Sequence, residues 1–362
     1  MISTTETETP GFSQKIPLYE GSTQFRHWRY SPEQLARTRS AMNAAAVQAI
    51  KDAFEADLPG SSSDVSFLSA DEEILLVKLY AGKVSQLCGH FRFPEEVEAT
   101  AVTYLKRFYL KNTVMDYHPK NVMLTALFIA TKTTNHPISL EAYANHIPKT
   151  LPSDVLDLEF LVAQSLGFDF AVWHAHRALW GIWLDIQNLP DIRMDELRQA
   201  YDVALKHVRA SRLTDAELIY TPSQIALACL SLASPSLAAA WARSQHNSRS
   251  PTPPSPPTPM PPSESAVLDI IEPIASMITT SGVLPDVEAV REVDRRLRLC
   301  KNPEKVVGSN AHKRKQEEKE HKAAEKRARK AERIRKAMED GDPFGTSLHE
   351  QDLDDDDDDD ED

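Results

Sequence analysis

The segment from Asn121 to Thr131 places the tightest limit on how this chain can fold. Val122, Met123, Leu124, Ala126, Leu127, Phe128, Ile129 and Ala130 make it apolar on nearly every side, and Pro119 stands just before it, where a first helical turn accepts proline. A helix without a polar face has to be enclosed by other helices. The chain sets up this situation twice, because Pro222 opens a second such segment that reaches Ala233.

Helical patterns surround both segments in the same order. In the first set, Ser69-x-x-Glu72 has the spacing of a capping box. It opens a helix to Cys88 with Ile74, Val77, Ala81, Val84 and Cys88 on one face. A helix from Pro94 to Leu110 carries Val97, Ala101, Leu105 and Phe108, and after the apolar segment come Ser139 to His146 and Ser153 to Leu166. Gly167 suits a left-handed cap to the last of these. The second set reads Trp173 to Gln187, Met194 to Ala210, Pro222 to Ala233, Leu237 to Arg243 and Val267 to Thr279. Two five-helix bundles, all-α, are therefore expected, flanked by accessory helices at Pro32 to Ala56 and Pro285 to Cys300. No strand alternation, glycine-rich phosphate loop or nucleophile elbow appears, and 11 glycines leave little material for nucleotide-cradling turns.

These patterns divide the chain as follows: 1–24, a disordered N-terminus; 25–63, an accessory helix region; 64–170 and 171–284, the two repeats; 285–302, a C-terminal helix; 303–336, a basic segment; 337–362, an acidic, disordered tail. The Pro/Ser/Thr tract at 244–264 interrupts the second repeat and has the composition of a solvated, disordered insertion. The basic segment has helical propensity but no apolar stripe with which to dock, so it is expected to be mobile.

Charge is unevenly spread. The net charge of -13 conceals 14 acidic and no basic residues from Ala337 to Asp362, against 12 basic and 5 acidic from Lys313 to Lys336. The remaining 29 basic and 35 acidic residues give the foldable part no excess of positive charge, so direct nucleic-acid binding is not expected. Cys88, Cys229 and Cys300 are far apart, which fits neither a disulfide framework nor a zinc site and suits a reducing compartment. His174 and His176 would fall on different faces of a helix start with no third ligand, so no metal is expected. Asp116, Tyr117 and His118 read as a structural corner before Pro119. The N-terminus lacks a signal-peptide pattern, and no apolar run approaches the ~18 to 20 residues of a membrane span.

The wording of the segments resembles the cyclin family, closest to its cyclin H branch. YLKRFYL at Tyr104–Leu110 and VMDYHPK at Val114–Lys120 carry the likeness in the first repeat; LTDA at Leu213–Ala216 and YTPSQIAL at Tyr220–Leu227 carry it in the second. Arg26–Trp28, Glu33–Arg37, Leu268–Ile270 and Arg295–Cys300 extend it to about Phe25–Lys301. The resemblance implies a non-catalytic subunit, without cofactor or small-molecule ligand, that binds and activates a cyclin-dependent kinase. It further implies phosphorylation of kinase activation loops and the RNA polymerase II C-terminal domain, a RING-finger assembly factor as third partner, membership of a TFIIH-like complex and a nuclear location. Another transcriptional cyclin is the nearest alternative. A double-cyclin-fold DNA-binding factor resembling transcription factor IIB would need a zinc ribbon and a basic core.

Residue by residue, the family's kinase-contacting lysine and glutamate match Lys132 and Glu159, and its accessory segment matches Arg26, Trp28 and Tyr30. Trp28 serves equally well as a staple within its own protein. Thr133, Thr134 and Asn135 stand where family members usually carry acidic residues, and Glu72–Lys78 lacks the docking patch of cell-cycle cyclins. Ser250, Thr252, Ser255 and Thr258 each precede proline, the minimal site for a proline-directed kinase. Lys313, Arg314, Lys315, Lys326, Arg327, Arg329 and Lys330 have the composition of a nuclear import signal.

Overall fold

The computed structural model describes residues 17–247 and 264–339. The chain divides into two units, Met1–Ala49 with Asp64–Lys301 and Ile50–Ser63 with Asn302–Asp362. Every regular element among the described residues is helical.

In the first unit a short α1 (Thr23–His27) and most of α2 (Pro32–Asp57) precede the first repeat: α3 (Ala70–Phe91), α4 (Glu95–Phe108), α5 (Pro119–Thr133), α6 (Leu140–Asn145), α7 (Ser153–Leu156) and α8 (Glu159–Ser165). The local signals act as their chemistry requires. Ser69 and Glu72 form both bonds of a capping box at α3, and Pro119 occupies the first turn of α5 behind His118, whose ring accepts from the Lys120 N–H. Residues Val122–Thr131 of α5 are all buried, enclosed by α3, α4, α7 and α8. This is the surrounded helix demanded by its lack of a polar face.

The second repeat contains α9 (Ala175–Ile186), α10 (Met194–Ser211), α11 (Ala216–Ile219), α12 (Pro222–Ala233), α13 (Pro235–Asn247) and α14 (Glu264–Ser281). Its central α12 starts at a Thr221–Gln224 capping box with Pro222 in the first turn, and packs against α9, α10, α13 and α14. Leu179, Ile182, Leu197, Ile225, Leu230 and Ile274 lie in the resulting core. After it, α15 (Val287–Leu297) packs Val290, Val293 and Leu297 inward and contacts α3.

Several expectations need correction. The single helix read from Ser153 to Leu166 is broken at Asp157 and Leu158 into α7 and α8. The N-terminal 24 residues are not wholly without order, because Ser22 caps α1 and Gln24 is buried. At the insertion, Ser244–Asn247 belong to α13 and Glu264 to α14. Residues 248–263, with Ser250, Thr252, Ser255 and Thr258, lie outside the described residues, as do 1–16 and 340–362.

In the second unit, the end of α2 and a 3-10 turn (Pro303–Lys305) accompany α16 (Asn310–Glu339). The basic segment is thus one 30-residue helix. Ala, Glu, Lys and Arg are strong helix formers, and Glu318–Lys322 and Glu325–Arg329 add pairs at the favourable i,i+4 spacing. Arg314 bonds Asp57 at 3.0 Å and Lys315 bonds Glu304 at 2.7 Å.

Candidate interaction surface

The two repeats are tied together by charges placed on α4 and on the α10–α11 corner. Arg212, 6% exposed, bridges Glu95 at 2.5 Å and Glu98 at 2.9 Å. Lys106 bonds Glu217 at 2.9 Å and donates to the Thr214 carbonyl at 2.5 Å. Arg39 of α2 grips both oxygens of Asp215 at 2.7 Å. Such desolvated pairs are costly to break singly, because the surviving charge is left buried without a partner.

The N-terminal segment reinforces the same junction. Trp28 packs with Leu35, Leu110, Leu218 and Ile219, and its Nε1–H donates to Asp169 at 3.0 Å. The guanidinium of Arg107 lies 4.9 Å from the centroid of the Trp28 ring and the Lys111 ammonium 5.1 Å. Burial alone would raise the Asp169 carboxyl, but hydrogen bonds from His27 and Trp28 outweigh it and hold the pKa below the ordinary value. Gln24 bonds the backbone of Trp173 in both directions, at 3.3 and 2.6 Å.

On this frame sits an exposed face formed where α5 ends and α8 begins. Lys132, in the last turn of α5, pairs with Glu159, the first residue of α8, and its ammonium lies 4.6 Å from the centre of the Phe128 ring. Each charge also complements its helix end. Partial burial lowers the Lys132 pKa. Both side chains remain accessible, at 42% and 28%. Beside Glu159 in the chain, Leu156 is 48% exposed and Phe160 70%. The Phe160 ring meets that of Phe168, itself 56% exposed, edge to face at 6.3 Å. Phe168 follows Gly167, both left-handed at φ 57° and 60°, so the helix-ending turn directs the chain outward there. The Tyr104 hydroxyl then anchors the segment that follows by donating to the Phe170 carbonyl at 2.7 Å.

Exposed aromatics edged by one ion pair have the character of a protein-binding patch, apolar at the centre and polar at the rim. The sequence pattern did not single out Phe160, Phe168 and Leu156. On a helix that buries Val155, Val162 and Leu166, Phe160 falls ~120° or more from the buried face and so points outward.

The other sequence-derived residues are placed differently. Trp28 is 2% exposed and spends its side chain inside its own protein. Arg26 is exposed and donates to the Gly21 carbonyl at 2.7 Å, while Tyr30 is half-buried and donates its backbone N–H to the Leu218 carbonyl at 2.8 Å. Lys313, Arg314, Lys315, Lys326, Arg327, Arg329 and Lys330 all lie on α16. The imidazoles of His174 and His176 are stacked at 5.2 Å rather than on separate faces, because His174 is the extended N-cap residue of α9 and helical angles do not apply to it. No group of three metal-ligating side chains occurs among the described residues. Tyr117 and His118 do form a corner: the Tyr117 carbonyl accepts from Tyr109 at 2.6 Å, and His118 caps α5.

Two joined all-helical repeats, each built around an enclosed central helix, define the class of the fold. The model of the cyclin N-terminal domain matches residues 81–171, and that of the cyclin C-terminal domain matches 174–279. Cyclin-H1-1 of Arabidopsis thaliana is 36% identical over 240 residues, covering 59% of this chain and 70% of the relative. A chain in the structure of the CAK complex from Chaetomium thermophilum bound to ATP-gamma-S superposes with a TM-score of 0.72 at 30% identity, over 84% of this chain and 94% of that one. A chain of the yeast TFIIK (Kin28/Ccl1/Tfb3) complex does so at 0.58 and 30%, over 72% and 100%. The chain belongs to the cyclin family, and cyclin H members are among its relatives.

Proposed function

We propose that this chain is the cyclin H-like regulatory subunit of a CDK-activating kinase, and that the kinase docks on the face around Lys132, Glu159, Phe160 and Phe168. The observation that carries this reading is the coincidence of the family's two kinase-contacting positions with the exposed aromatic patch. The likeness to chains of the CAK and TFIIK complexes supports the kinase partner.

The cyclin contributes no catalytic group. A rigid helical surface binds one arrangement of the kinase's mobile helix better than the others, and so raises the population in which the kinase Lys–Glu ion pair is formed. The Lys132–Glu159 pair is the free state of this device, each charge satisfied until the kinase exchanges new partners for it. Arg26 and Tyr30 extend the contact along the accessory segment, whereas Trp28 positions that segment from beneath. Phosphorylation of kinase activation loops and of the RNA polymerase II C-terminal domain, a RING-finger assembly factor, a TFIIH-like complex and nuclear import through the basic residues of α16 complete the proposal.

The test is to isolate the full chain with its bound partner and assay the pair on a kinase activation-loop substrate. Co-purification of a cyclin-dependent kinase whose activity depends on this chain is the expected result. A partner of another class, or a kinase equally active without the chain, would refute it.

A further inference from the structure

Helix α16 keeps its carboxylates off one face. At ~100° per residue, Lys319, Lys326, Lys330 and Arg333 fall within a ~60° arc, forming a seam ~21 Å long. All four are exposed, and among the described residues none has an ion-pair partner. Glu318 and Glu325 serve Lys322 and Arg329 on the flank of the seam, while Glu317, Glu320 and Glu332 lie more than ~100° from its centre.

We infer that this seam is an anion-docking surface and that its resident occupant is the acidic segment Asp354–Asp362 of the same chain. Charge and reach both favour it. The segment carries nine carboxylates in nine residues and, fully extended, covers ~30 Å, enough to run the length of the seam. It is joined to the end of α16 by residues 340–353, fourteen residues that can span up to ~48 Å, whereas Arg333 lies only ~9 Å back along the helix from Glu339. A tethered anion has an effective concentration on the order of millimolar, which a polyanion in solution, such as a nucleic acid, must exceed. The contact is between exposed charges and weakens with salt. It would keep the basic helix from binding nucleic acid indiscriminately, and is independent of the kinase-docking face.

Two measurements on the full chain test this. Dyes attached through Gln316→Cys and Glu361→Cys, the three native cysteines being buried, should show efficient energy transfer at low salt that collapses near ~1 M salt. Transfer should also collapse when Lys319, Lys326, Lys330 and Arg333 are all changed to Gln, a substitution that keeps helical propensity and can be checked by circular dichroism. Equal transfer in the four-Gln variant would overturn the proposal. So would low transfer at all salt concentrations in the unaltered seam. In parallel, a fluorescein-labelled 20-residue oligothymidylate should bind on the order of tenfold more tightly once the acidic residues of 354–362 are changed to Asn or Gln. Equally tight binding with the tail intact would mean that the seam takes its anion in trans, and the inference would fail.

Discussion

Exchanging the charges of Lys132 and Glu159 separates their role within the chain from their role toward a kinase. The pair is accessible on both sides, 42% and 28%, so its own contribution to stability is that of a surface ion pair, about 0.2–1 kcal/mol, with the Phe128 contact adding about 0.5–1 kcal/mol. Lys132→Glu or Glu159→Lys alone should therefore lower unfolding stability in urea by no more than about 2 kcal/mol. Docking of a kinase on this face, as proposed, would desolvate the same charges. Removing one partner of an interfacial charge pair costs about 2–5 kcal/mol, or a loss of affinity of roughly 30- to several-thousand-fold. Titration of kinase against each variant, with activation-loop phosphorylation as readout, should show this loss. The double variant decides the matter: it rebuilds the internal ion pair and recovers stability, yet presents the wrong charge at both positions to the kinase. It should remain inactive. Full activation by the double variant would refute the reasoning, because the pair would then matter only to the cyclin itself.

Phe160→Ala with Phe168→Ala should weaken kinase binding at least tenfold while changing stability by less than about 1 kcal/mol, since both rings are mostly exposed; denaturation and binding measured on one preparation check this. Trp28→Ala, by contrast, should cost about 3–5 kcal/mol in urea denaturation, and Trp28→Phe less, because the smaller ring retains the packing and loses the bond to Asp169. Burial holds His174 well below its ordinary pKa and His176 down to about 4. The neutral rings therefore contribute stability that is fully present above about pH 6.5 and is lost as pH falls toward the folded values, by up to about 1.4 kcal/mol per pH unit for each histidine. His176→Gln should flatten the decline of melting temperature between pH 6.5 and 4; an unchanged slope would contradict the assignment.

The enclosed helices and their proline starts were legible because a helix apolar on all sides permits one environment only, and α12 begins and ends where the pattern places it. The break between α7 and α8 was not legible. Leu156, Asp157, Leu158 and Glu159 contain neither Gly nor Pro, and the packing of α7 and α8 around α5 decides the bend. Lys132 and Glu159 came from family likeness, whereas the aromatic patch beside them came from geometry. Trp28 illustrates the reverse difficulty: an aromatic residue near a predicted contact reads as an anchor for a partner, and only its burial shows that it anchors its own chain.

The charges that join the repeats, Arg212 with Glu95 and Glu98, Lys106 with Glu217 and Arg39 with Asp215, also bear on energetics at a distance. Several desolvated pairs across one junction resist relative motion of the two repeats, because opening any of them leaves a buried charge without its partner. Shifting a two-state partner from one part in a hundred active to ninety-nine requires about 5.5 kcal/mol of differential binding. The less binding energy the cyclin spends on ordering its own repeats, the more of that difference is left for the helix of the proposed kinase partner.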